Sequence, residues 1–263
     1  MKDKFKEKIP LALSILAFAL SLFATLTTER RAADEKRRTV RNQLTDVLAR
    51  VTSLQLENAK LMHEAKDDAF YRQSVNLALG QQNGFLLDQA FYLADQIPAL
   101  VTTYEFNTIA SASFSAGNVL ATEKYHLKAI EVAHSDLYKA QATRSYASFL
   151  FTQRRFVEGR HQFNKALTLL KGGGDNLTRQ TNGITYQMWG WNEQHLALGA
   201  QDAKNLYDKA RAEFSGIDVE FLRGSLLQAL EAVESFNSPK PVAPNLTLQR
   251  DEPQSSAPLS FGR

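Results

Sequence analysis

From Ile9 to Thr28 the chain reads IPLALSILAFALSLFATLTT, twenty residues without a charge. At about 1.5 Å rise per residue a helix of that length reaches roughly 30 Å, the hydrocarbon thickness of a bilayer, so a single transmembrane helix is expected here. Lys2, Lys4, Lys6 and Lys8 precede it as they would a signal peptide, but the apolar core is longer than a signal's and no Ala-x-Ala follows. The reading is therefore an uncleaved anchor in contact with membrane lipid. Further on, Val40, Leu44, Val47, Val51, Leu54, Leu61 and Ala65 step by four and three, with Asn58 in the one polar slot, which is the 3.5-residue period of a coiled coil.

Neither glycine nor proline interrupts Glu29 to Leu79, so one helix is expected to leave the membrane as a stalk and to end at Gly80 and Gly84. A lone asparagine in such a seam is satisfied by meeting its twin, which points to a parallel homodimer through Leu44, Val47, Val51, Leu54, Asn58 and Leu61. The other reading packs these leucines on the protein's own head, and Leu48 and Met62, standing where paired charges would set a partner, fit it.

Beyond the stalk the apolar residues keep helical spacing, with breaks at Pro98, Gly117, His134 to Ser135, Gln153 to Arg155, Gly172 to Asn176, Gly199 and Ser215 to Gly216. No alternating β pattern occurs, so the head is expected to be all-α. The organisation predicted is a basic tail over 1–8, a span over 9–28, a coiled-coil-like stalk over 29–79, a helical array over 84–236 and a disordered tail over 237–263. That last stretch holds five of the seven prolines and too few apolar groups to offset ordering.

A triplet recurs in the second helix of successive pairs: Thr122, His126, Ala129; Gly159, Phe163, Ala166; Ala203, Tyr207, Ala210. Steps of four and three place each triplet on one face, where the alanine lets a neighbouring helix come close. With Ala147 as an early small residue, the stretch Tyr146 to Leu169 resembles a tetratricopeptide repeat, and the likeness covers roughly residues 102–214. It departs from that pattern in its intervals of 37 and 44 residues between the alanines, in a histidine at the first ring position, and in Trp191 where a small residue belongs. The resemblance implies an α-solenoid whose first helices line a groove for a protein partner. Groove residues would then include Tyr104, Asn107, Arg144, Ser148, Phe151, Asn192 and His195, with the Arg144 guanidinium able to fork onto a carboxylate.

Charge and chemistry narrow the picture. The net charge is +3, and residues 29–50 alone carry +3, so the head is near neutrality and no nucleic-acid footprint is expected. Six basic residues just after the span against four before it favour a cytoplasmic head, and the juxtamembrane arginines suit anionic lipid headgroups. With no cysteine there is no thiol nucleophile or thiolate zinc site, and no phosphate loop is present. Two Glu-x-x-His pairs, Glu123 with His126 and Glu158 with His161, match half of a dimetal carboxylate site, but only Glu105 offers a further ligand nearby. No cofactor or metal is expected and no enzyme. The function predicted is a membrane-anchored adaptor; the alternatives are a permanent structural subunit of a membrane or envelope assembly and a helical dimetal enzyme.

Overall fold

The computed structural model describes residues 3–64 and 68–236, excepting the side chains of residues 3–20, 69, 200 and 236. These residues form nine α-helices and one short 3-10 turn, with no strand among them: α1 (Asp3–Glu64), α2 (Ala69–Gln96), α3 (Thr103–Ser115), α4 (Val119–Glu131), α5 (Asp136–Thr152), α6 (Phe156–Leu169), α7 (Asn176–His195), α8 (Ala200–Ser215) and α9 (Glu220–Phe236). Sequential helices pair as hairpins, α1 with α2, α3 with α4, α5 with α6 and α7 with α8, and α9 closes the stack against α8. The first helices of successive hairpins also touch, α1 with α3, α3 with α5 and α5 with α7. The result is an α-solenoid with one face built from α1, α3, α5 and α7.

Side-chain caps start most of these helices. Thr102 and Glu105 form a reciprocal capping box on α3; Asn118, Ser135 and Asp175 accept backbone N–H bonds at α4, α5 and α7. The three triplets are the buried seams of their second helices. Thr122, His126, Ala129, Phe163, Ala166, Ala203, Tyr207 and Ala210 are each at most 5% exposed, and Gly159 is buried with them. Phe163 stacks flat on Trp189 of the next hairpin, 5.5 Å between ring centroids, so the seam joins repeats as well as helices.

The first hairpin differs from expectation. The long helix does not run on to Gly80; it ends at Glu64, and α2 restarts behind Asp68, whose carboxylate accepts from the Tyr71 N–H at 2.9 Å. The aspartate cap is a break that a search for glycine and proline passes over. Gly80 and Gly84 lie inside α2, where the roughly 1 kcal/mol that each costs is offset by burial of Leu86, Leu87, Ala90 and Ala94. The heptad seam is likewise filled from within. Leu44 and Val51 are fully buried and Leu54 nearly so, Val47 is packed beside them, and all lie in cores shared with α2 and α3. Asn58 and Leu61 are half-buried. The stretch read as a dimer stalk is thus, from Val40 on, half of the array's first hairpin, and its apolar face meets α2 instead of a twin.

Residues 28–39 of α1 are exposed throughout, so the helix projects beyond the array before burial begins at Val40. Among the described residues no helix is long and apolar enough to cross a membrane. The span expected over Ile9–Thr28 has residues 9–20 outside those whose side chains are described, and the tail over 237–263 lies outside the described residues altogether.

Candidate functional site

The face formed by α1, α3, α5 and α7 holds three adjoining cavities that share Ser111 of α3. The first, about 580 Å³, is mainly apolar, with Phe114, Phe149, Met188 and Trp191 in its lining and His126 at the α4 side. The second, about 430 Å³, is polar and lies between α1, α3 and α5, lined in part by Gln55, Tyr104, Asn107, Gln141 and Arg144. The third, about 650 Å³, opens between α1, α2 and the end of α3. Meeting at Ser111, they make a trough with one apolar and one cationic chamber.

Arg144 is the charge in that trough. Its Nη1 donates only long bonds, 3.4 Å to the Thr181 carbonyl and 3.5 Å to Thr185 Oγ1, and its buried Nε has no partner. Among the described residues no carboxylate pairs with it, whereas Arg41 and Arg160 each hold one and Arg155 and Arg211 each hold two. Burial draws the guanidinium down to about 10, with Tyr104 opposing, so it stays charged at neutral pH while poorly solvated. An under-bonded buried cation is the condition under which an incoming anion gains most.

The other groove residues divide. Tyr104 is 72% exposed at the trough's edge. Asn107 lines the polar cavity, and its Oδ1 lies 3.3 Å from His126 Nδ1, a ring that burial pushes down to about 4 and so keeps neutral. Ser148 lines the apolar cavity and accepts from Asn192 Nδ2 at 3.1 Å. Asn192 is 3% exposed and spends its amide on Ser148 and the Met188 carbonyl, so it supports the wall. His195 is exposed beside Trp191 and lines none of the three cavities. Phe151 is the clear correction: it is fully buried, its ring filling the space that Gly159 leaves by having no side chain.

The shift on α7 has a simple cause. Residues 116–118 join α3 to α4 and 153–155 join α5 to α6, but 196–199 join α7 to α8, one residue more, with Leu198 at φ 59. Counting twelve back from Ala203, the interval between Ala110 and Thr122 and between Ala147 and Gly159, therefore stops one residue short. Gly190, against which Tyr207 packs, is the small residue of α7, so Trp191 holds the place that Ser148 has on α5, and Asn192 lines the same cavity as a buried wall. Phe114, Phe149, Ser111 and Ser145 were not foreseen as lining; their spacing, three apart on α3 and four apart on α5, puts each pair on one helix face and was the available signal.

The dimetal pattern resolves into ion pairs. Arg155 binds Glu123 at 2.7 Å and Glu158 through two bonds of 2.7 and 2.8 Å, and Tyr146 donates to Glu123 at 2.7 Å. The Tyr146 hydroxyl first, and Arg155 after it, hold the Glu123 carboxyl below its usual range. Glu105 is taken by Arg41 at 2.6 Å. Among the described residues no three His, Asp or Glu gather as metal ligands. No protein-family model matches the chain, nor does any curated protein or any solved structure.

Proposed function

We propose that the protein is a membrane-anchored, tetratricopeptide-like adaptor that takes up an extended, acidic segment of a partner protein in the trough of its first-helix face. The observation that carries this reading is Arg144, a charged, partly buried guanidinium that no carboxylate pairs among the described residues, lining the polar chamber that adjoins the apolar one. A carboxylate supplied by the partner would complete its hydrogen bonds, while Phe114, Phe149 and Trp191 would receive an apolar side chain beside it. The uncharged run over residues 9–28 supports the anchor, as do Leu22, Phe23 and Leu26, which stay exposed on a projecting helix. The excess of arginine after that run supports a cytoplasmic head.

One observation favours the second reading, a permanent structural subunit. Phe70, Leu77, Phe85 and Tyr92 recur at near-heptad intervals along α2 and are 64 to 80% exposed. A partner held for good would cover such a stripe.

The test is selection of a random dodecapeptide display library on the full chain in mild detergent. Recovered peptides enriched in Asp or Glu, bound at least tenfold more weakly by Arg144→Gln, support the adaptor. Failure to enrich any peptide, with aggregation relieved only by a co-purifying subunit, supports the structural reading.

A further inference from the structure

The third cavity carries a feature that the sequence pattern already marked as odd. Asn58 sits where the seam of α1 calls for an apolar residue, between Leu54 and Leu61. It lines the cavity together with Asn83 of α2, and the Oδ1 atoms of both are buried without a hydrogen-bond partner. Five side-chain atoms among the described residues are in that state; two belong to this cavity, and two more, Thr103 Oγ1 and Arg144 Nε, belong to residues lining the adjoining one. Unmade hydrogen bonds are costly and are few in folded proteins, so their gathering along one trough points to a ligand that makes them.

The chemistry of the lining names the class. Gln55, Asn76 and Ser111 add further neutral polar groups, and none of the residues lining this cavity is charged. An ion would find no counter-charge here, whereas the N–H groups of a peptide backbone are neutral donors that recur along an extended chain. Gln55 and Ser111 line both this chamber and the Arg144 chamber, so the two adjoin, a shape for something elongated more than for one compact ring.

We infer that the cavity between α1, α2 and α3 grips the uncharged backbone of an extended polypeptide, Asn58 and Asn83 each accepting one peptide N–H from the segment whose carboxylate reaches Arg144. This rests on the adaptor reading and adds to it a subsite in the first hairpin, outside the stretch that carries the repeat resemblance. Gly80 also lines the cavity, and a β-carbon there would meet nothing within 4 Å, so a larger residue at 80 enters open space.

The test scans a peptide recovered from the display selection by N-methylation, one position at a time, against full chains in detergent. Wild type should lose about tenfold in affinity at one or two positions, and Asn58→Leu or Asn83→Leu should weaken binding and abolish that sensitivity. Gly80→Leu should block the peptide while Gly80→Ala binds it as wild type does. Both asparagine variants should melt at or above the wild-type midpoint, because leucine removes an unmet polar atom. Affinity that depends on Arg144 but not on Asn58, Asn83 or N-methylation overturns this inference and leaves the adaptor reading standing. Lowered midpoints with unchanged affinity make the asparagines structural and overturn it too. Saturable binding of maltotetraose, lost in Asn83→Leu, replaces the peptide by a sugar; recovery of no peptide at all takes down both readings.

Discussion

The ring of Phe151 on α5 lies over Gly159 on α6, so close that a β-carbon at Gly159 would stand 2.5 Å from Phe151 Cδ2 and 3.2 Å from the Ala147 carbonyl oxygen. Gly159→Ala overpacks this contact and is expected to destabilise the array by about 1–3 kcal/mol, read as a fall in the thermal midpoint. Phe151→Leu added to it should recover part of the loss by vacating the space. A midpoint unmoved by Gly159→Ala would mean that the two helices are further apart.

Glu193 of α7 receives Arg160 Nε and Nη2, each at 2.7 Å, and Trp189 Nε1 at 2.8 Å, and its side chain is 2% exposed. Burial alone would raise its carboxyl, but the Arg160 and Trp189 bonds outweigh burial and hold it below the usual value of 4.5. A lowered folded pKa gives stability that is complete above the unfolded value and is lost as pH falls through the folded one. Glu193→Gln should therefore cost about 1–3 kcal/mol at pH 7, a modest figure because Arg160 is partly hydrated, and the gap to wild type should close in acid. Denaturant melts across pH check it; a gap that persists unchanged at the acid end contradicts the assignment.

Leu44 and Val51 are buried within one chain. Leu44→Ala is expected to cost about 2–5 kcal/mol, and the wild-type midpoint should not move with protein concentration over a hundredfold range. Gly80→Ala should raise that midpoint slightly, by the 0.4–1 kcal/mol typical of an unstrained helical glycine. A concentration-dependent midpoint abolished by Leu44→Ala would restore the intermolecular seam.

Much of the array could be read from residue pattern. Each break foreseen between Pro98 and Gly216 falls in or beside a segment between helices, since glycine, proline and capping Ser and Asn act locally. The triplets marked the buried seams for the same reason. What escaped depended on partners distant in sequence. A 3.5-residue period cannot say whether Leu44 meets a second chain or α2, because both offer the same apolar surface. Asp68 starts a new helix by one hydrogen bond, with no change in composition. On α7 a single extra linker residue turned Trp191 toward the trough and Asn192 into the wall, a shift invisible to spacing rules carried over from α5. Of the seven groove residues, Tyr104, Asn107, Arg144 and Ser148 line the trough, and Asn192 reaches it only as a buried wall.

Photocrosslinking from intact membranes tests the central claim most directly, with benzoylphenylalanine placed at Tyr104, on the trough, or at Val157, 79% exposed on α6. The account predicts one discrete adduct from position 104, none from position 157, and loss of the first when Arg144 is changed to Gln. Adducts from position 157 alone, or a position-104 adduct indifferent to Arg144, would contradict it.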